Sequence, residues 1–256
     1  MTTIREANEF LYMALDIGEQ MLISGAEVSR VEDSIQRICK AYGAKRVDVF
    51  TITASIVVTM YSEEFGPITQ TRRITGQEFD LHRLDCLNQL SREICAKHLE
   101  LPIIQQKLAE LQVEKKYPFY AQVLMFVLIS GSFSLFFGGS GNDALVSAIV
   151  GIVLKCMTAG AKNLKVNTFL SALLCSMTGG LLAIWFVKLG LGDSASKISI
   201  GNIMLLIPGI ALTNSIRDMF SGDTISGALR FTEAILLAMT IAFGFAVASL
   251  IGGTMA

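Results

Sequence analysis

Residues 119–137 read FYAQVLMFVLISGSFSLFF, without one full charge. About 20 predominantly apolar residues, rising 1.5 Å each, cross the roughly 30 Å hydrocarbon layer of a bilayer. This stretch therefore reads as a membrane span, and it is the first of about five. Residues 168–187, 198–216 and 234–251 are equally free of charge, with Lys197 and Arg217 just outside the ends of the 198–216 run, and residues 144–161 carry only Lys155. Upstream the chain changes character, being rich in charge as far as Lys116, so that Lys115-Lys116-Tyr117-Pro118 reads as the membrane boundary. The expected fold is an α-helical integral membrane protein with about five transmembrane helices (residues 118–256), preceded by a small cytoplasmic α+β domain (residues 1–117).

Orientation follows from the Lys and Arg residues of the short connections, which concentrate on the cytoplasmic side. With the amino-terminal domain inside, the inner flanks hold Lys115, Lys116, Lys162, Lys165, Arg217 and Arg230, and the outer ones only Lys188 and Lys197. The amino terminus is expected in the cytoplasm and the carboxyl terminus outside. Met1-Thr2-Thr3-Ile4-Arg5-Glu6 opens an amphipathic stretch, so no cleaved secretory signal is expected.

The amino-terminal part alternates helical and strand periodicities. Phe10, Ala14, Ile17 and Met21 share one helical face, Gly25 reads as the stop, and a second helix carries Val28, Val31, Ile35, Ile38 and Tyr42. Residues 47–52, 55–61 and 68–74 are rich in Val, Ile and Thr, and Glu63-Glu64-Phe65-Gly66 supplies a turn, so a small antiparallel sheet is expected. Asp80 can cap a third helix with Leu84, Leu87, Leu90 and Ile94, and Pro102 can open a fourth.

Several functions are excluded. A net charge of −1 without a block of like charge argues against nucleic acid and polybasic membrane binding. The five cysteines lack C-x-x-C spacing and His82 and His98 complete no zinc pattern, so neither metal nor cofactor is expected. No G-x-x-x-x-G-K-[ST] run is present, which argues against ATP hydrolysis by this chain.

The chemistry concentrates in Pro208-Gly209-Ile210-Ala211-Leu212-Thr213-Asn214-Ser215-Ile216-Arg217-Asp218 and the following Met219-Phe220-Ser221-Gly222-Asp223-Thr224-Ile225-Ser226-Gly227. Pro208 lacks an N–H and clashes with the carbonyl four residues earlier, which kinks a helix. Such kinks are either structural or line the substrate cavity of a transporter. Asn214, Arg217, Asp218, Asp223 and Glu233 gather polar groups at the inner end of two spans, where they face a cavity or each other. Arg217 either attracts a substrate carboxylate or pairs with Asp218 or Asp223. Glu19, Glu27, Arg30, Glu32 and Asp33 cluster around the Gly25 turn, as solvated charges, as helix-end ion pairs or as a functional surface.

Elsewhere the readings are plainer. Lys155 either snorkels to the inner interface or takes part in coupling-ion chemistry, and Asp143 suits a helix amino terminus. The rows Ala238-Ala242-Ala246 and Gly244-Ala248-Gly252 let helices approach, within the chain or at a subunit interface.

Residues 18–33, GEQMLISGAEVSRVED, and residues 208–227 together resemble the two signatures of the threonine/serine exporter family, in the expected order. The resemblance implies an inner-membrane exporter of small hydrophilic metabolites coupled to the proton gradient. Longer members carry about ten spans; this chain is similar to the shorter form, the larger subunit of a two-part succinate exporter. The implied cargo is threonine or serine, or a C4 dicarboxylate. An odd number of spans leaves a smaller membrane subunit or a second copy to complete the carrier. The assigned path is Pro208, Gly209, Asn214, Arg217, Asp218 and Asp223, with Glu233 as proton carrier, and the candidate cytoplasmic gate is Glu19, Gly25, Glu27 and Arg30. The rival readings are a membrane-tethered hydrolase acting through the amino-terminal domain and a non-transporting scaffold.

Overall fold

The computed structural model describes residues 4–76, 78–113 and 117–254. Met1, Thr2 and Thr3 of the amino terminus, and Lys115 and Lys116 of the expected boundary, lie outside the described residues. The chain forms two compact units, one of Met1–Lys115 with Ile210–Thr232, the other of Lys116–Gly209 with Glu233–Ala256.

The first unit begins with α1 (Ile4–Ile23) and α2 (Val28–Ala41), an antiparallel pair whose apolar stripes meet. Leu11, Leu15, Ile17, Met21, Leu22, Val31, Ile35 and Ile38 are almost wholly buried, and the helices approach closely because a Cβ on Gly18 would stand 2.6 Å from Ile35 Cδ1. Three strands follow, β1 (Arg46–Ile52), β2 (Ser55–Ser62) and β3 (Gly66–Arg73), antiparallel in the order β1-β2-β3 with Val49 opposite Val58 and Thr59 opposite Thr69. On β2, Ile56, Val58 and Met60 are buried while Val57 and Thr59 are not, the period of two expected of a sheet covered on one face. α1 packs on β2 and β3. The Asp80 side chain accepts from Arg83 N at 3.0 Å and starts α3 (Leu81–Lys97); Pro102 sits in the first turn of α4 (Leu101–Val113).

Four helices among the described residues are long and apolar enough to cross a membrane: α5 (Phe119–Phe136), α6 (Gly141–Asn163), α7 (Thr168–Lys188) and α10 (Thr224–Thr254). The expected span over residues 198–216 is not one continuous helix. α8 (Ala195–Ile203) ends after Ile203, residues 204–208 are not helical, and α9 (Gly209–Phe220) begins beyond them. Pro208 breaks the helix instead of kinking it: it offers no N–H, crowds the carbonyl of Met204 and pushes Ile207 out of the α region. The last turn of α8 tightens to compensate, with Leu205 N donating to Asn202 O at 3.2 Å and Leu206 N to Ile203 O at 2.9 Å.

In the second unit, α8 packs against α5, α6 and α7. Asp143, 1% exposed, joins the loop before α8 to the start of α6: its carboxylate accepts from Ser140 N at 3.0 Å, Asp193 N at 2.8 Å and Ser194 N at 2.9 Å. It does more than complement a helix dipole. The row Gly244-Ala248-Gly252 faces α7, where a Cβ on Gly244 would lie 1.9 Å from Ser176 Oγ and one on Gly252 2.6 Å from Ile184 Cδ1. Ala242 and Ala246, on the other row, are exposed. Lys155 donates to Gln122 Oε1 at 2.6 Å and lies 5.0 Å from the Phe126 ring centroid.

Candidate functional site

The α1–α2 turn closes as a glycine-terminated helix does. Gly25 adopts φ +98°, Gly25 N donates to Leu22 O at 3.2 Å and Ala26 N to Met21 O at 3.0 Å. No other residue fits, because a Cβ would also strike Phe79 Cδ1 at 2.5 Å. The carbonyls of Gly25 and Ala26 lie just past this turn, and α2 starts without a cap of its own, since Glu27 makes no side-chain capping bond.

Those groups are satisfied by the segment that carries the second motif. Asn214 Nδ2 donates to Gly25 O at 3.0 Å and Arg230 Nη1 to Ala26 O at 3.1 Å, while Val28 N donates to Asp218 Oδ1 at 3.2 Å. Arg230 Nη1 also reaches Asp218 Oδ2 at 3.0 Å. Asp218 thus caps α2 from 190 positions away in sequence, with its charge at the positive end of the helix dipole. The side chains of Asp218 and Arg230 are 0% and 6% exposed. A buried ion pair persists only when both partners have further hydrogen bonds, as here through Val28 and Ala26.

α9 and α10 come together over Gly227, where a Cβ would meet Ser215 O at 2.7 Å and Met219 N at 2.8 Å. A second set of bonds ties α10 to the sheet: Ser226 Oγ donates to Thr51 O at 3.0 Å, and Thr51 N donates to Glu32 Oε1 at 2.7 Å. At the rim Arg217 pairs with Glu27, with side chains 56% and 17% exposed. Three carboxyls, Asp223, Glu32 and Asp218, are held above the ordinary carboxylate range. Burial alone raises Asp223. Burial, then the charge of Asp223, raises Glu32 against its bond to Thr51. Burial raises Asp218 against the pull of Arg230 and Val28 N.

The structure gathers Gly25, Glu27, Asn214, Arg217 and Asp218, with Asp223 beside them. Arg217 pairs with Glu27 and not with either aspartate named in the sequence reading. Glu19 lies apart, 3.5 Å from Arg72 on β3, and burial raises its carboxyl. Arg30 is exposed. Pro208, Gly209 and the exposed Glu233 belong to the other unit. Sequence reasoning counted Arg230 only as an inner-flank charge and overlooked Ser226 and Thr51. The available signal for Arg230 was a cation early in an apolar helix, which needs a buried partner. Among the described residues no group of His, Cys, Asp and Glu is placed to hold a metal ion.

The model of the threonine/serine exporter family (ThrE) matches residues 12–252 of this chain. A threonine/serine exporter of Corynebacterium glutamicum is 24% identical over 243 residues, covering 91% of this chain and 49% of that protein. A Klebsiella aerogenes protein named probable succinate transporter subunit YjjP is 24% identical over 240 residues, 91% of this chain and 90% of its own. The Escherichia coli protein of the same name is 23% identical over 248 residues, 94% of each. The chain therefore spans about half the length of the Corynebacterium relative and nearly all of the two YjjP proteins. No solved structure matches.

Proposed function

The chain belongs to the threonine/serine exporter family, and we propose that it is one subunit of a secondary exporter that moves threonine or serine, or a C4 dicarboxylate such as succinate, out of the cytoplasm with the proton gradient. It is a multi-pass membrane protein. In this reading it lies in the inner membrane with its amino terminus in the cytoplasm and its carboxyl terminus outside. The relatives of matching length are named as subunits, which supports a smaller membrane partner. A second copy of the chain is the other way to complete the carrier.

The observation that carries the proposal is the joining of residues 18–33 to residues 214–230 through Asn214, Asp218 and Arg230. A segment that starts at a helix break and ends in a charged knot on a water-facing domain is how a transporter would link its path to a cytoplasmic gate. Pro208, Gly209, Asn214, Arg217, Asp218 and Asp223 are assigned to the path, Glu233 to proton transfer, and Glu19, Gly25, Glu27 and Arg30 to the gate. Arg217, the most exposed cation of the knot, is assigned the substrate carboxylate, the group that all three cargoes share.

The test is efflux of preloaded labelled serine, threonine and succinate from cells expressing the chain alone and with a small membrane partner. Export of one compound only when both are present supports a split exporter and identifies its cargo. Full export by Arg217→Ala would remove Arg217 from the path, and no efflux in any combination, with insertion verified, would overturn the exporter reading.

A further inference from the structure

α8 supplies a helix end inside the second unit. Its last carbonyls carry the negative end of the helix dipole, and Gly201 and Asn202 lie in its final turn. The α8 backbone comes close to two neighbours there: a Cβ on Gly201 would stand 2.4 Å from Ser130 O on α5 and 2.5 Å from Ser147 Oγ on α6. Ser147 Oγ donates to Ser130 O at 3.0 Å and lies 3.4 Å from Ile198 O, and Asn202 Nδ2 donates to that same Ile198 carbonyl at 2.9 Å. The Asn202 amide is thereby fixed by its nitrogen beside Ser147.

Two oxygens in this cluster are unanswered. Asn202 Oδ1 and Ser134 Oγ have no hydrogen-bond partner, although both residues are 0% exposed. Ser134 stands one turn after Ser130 on α5, with its Cβ 3.1 Å from the position of a Gly201 Cβ. An amide oxygen left bare in a membrane interior is costly, since no solvent can reach it. Only a donor or a cation can satisfy Asn202 Oδ1. The groups that meet where the end of α8 approaches α5 and α6 are neutral oxygens: the Ser134 and Ser147 hydroxyls, the Asn202 amide and the carbonyls of Ser130 and Ile198. The nearby carboxylate of Asp143 is already taken by three backbone N–H groups. Divalent cations want carboxylates, whereas a neutral set of oxygens beside a helix carboxyl end suits a singly charged one.

We propose that the second unit binds one monovalent cation of the size of sodium between α5, α6 and α8, held by Asn202 Oδ1, Ser134 Oγ, Ser147 Oγ and main-chain carbonyls. The ion ties the half-length α8 to α5 and α6, two of the three helices it packs against. The site stands independently of the cargo and of the proton coupling proposed above, because its occupancy can be read without transport.

The experiment is thermal unfolding of the full purified chain in detergent, in sodium or choline chloride at equal ionic strength, with ²²Na binding alongside. The expected result is a midpoint that rises saturably with sodium and not with choline. Asn202→Ala and the milder Ser134→Ala should each weaken sodium binding by tenfold or more. Asn202→Asp, which places a carboxylate in the site, should restore or strengthen it. Identical midpoints in sodium and choline together with no bound ²²Na would overturn the proposal and leave a buried water as the occupant. Sodium binding that is untouched in Asn202→Ala and in Ser134→Ala would overturn it as well.

Discussion

Each of the two units closes around a buried polar cluster, but the clusters are built from opposite materials. The knot on the α1–α2 turn uses full charges: Asp218 and Arg230 are buried together, and both carboxylate oxygens are occupied. The cluster around α8 uses only neutral oxygens, two of them without a partner. The surroundings account for the difference. The first unit has a core of buried Leu, Ile, Val and Met side chains, and the hydrophobic effect that assembles it can offset the desolvation of one well-bonded ion pair. Helices in a bilayer gain nothing comparable from meeting, so the second unit depends on close van der Waals approach at Gly201, Gly244 and Gly252. One chain therefore secures its loops with charge where water helps and with small residues where it does not.

The largest effect should come from breaking the charged knot. Arg230→Ala leaves Asp218 buried without its cation, and Asp218→Ala removes the cap of α2 and strands Arg230; either should cost about 3–5 kcal/mol in unfolding of the detergent-solubilised chain. The double variant Asp218→Leu with Arg230→Met sharpens the point. It should be more stable than either single variant, since no charge is left unpaired. If all three are equally unstable, the bonds to Val28 N and Ala26 O matter more than the pair.

The corresponding test of the membrane unit is steric. Gly244→Ala puts a methyl group where Ser176 Oγ lies 1.9 Å away, and overpacking of this kind costs about 1–3 kcal/mol. Ser176→Ala should recover part of the loss. Unchanged stability in Gly244→Ala would mean that α7 and α10 can separate freely, and the contrast between the units would fail.

How much of this was legible beforehand depends on the range of the interaction. The stripe of α1 and α2, the alternation on β2 and the Asp80 cap are local patterns, and each formed where its periodicity placed it; the four apolar spans formed as well, although α10 begins at Thr224, well ahead of the 234–251 run. The span over residues 198–216 misled because composition measures apolarity and not continuity: its residues are apolar enough to cross, yet Pro208 divides them into α8 and α9. Both motifs of the site were visible as dense polar segments. Their meeting was not, because nothing in residues 18–33 says that the missing cap of α2 comes from Asp218, 190 positions on. Arg217 could be read only against its neighbours in sequence, and its partner Glu27 is not one of them.

Arg217 marks the boundary between stability and function within the knot. Its pair with Glu27 is half exposed, and such pairs contribute about 0–1 kcal/mol. Arg217→Ala should leave the unfolding midpoint nearly unchanged while reducing efflux, the reverse of what a purely structural rim residue would show. Glu27→Gln should resemble it in stability, because Glu27 makes no capping bond to α2.

The smallest effect should be that of Asp223→Asn, and its sign is set by burial. Asp223 is raised above its ordinary value by desolvation alone, and it pushes Glu32 and Asp218 in the same direction. A carboxyl raised on folding favours the folded state when protonated; that contribution is complete below the unfolded value, near pH 4, and is lost as pH rises through the folded one. At pH 7 the ionised Asp223 therefore works against the fold. Asn keeps the neutral form at every pH. Asp223→Asn should raise the unfolding midpoint slightly at pH 7, and the gain should vanish as the pH is brought below about 4. A drop in midpoint at pH 7 would show instead that the negative charge at the start of α10 is worth more to the helix dipole than its desolvation costs, which would place Asp223 with Asp218 as a charge the knot requires.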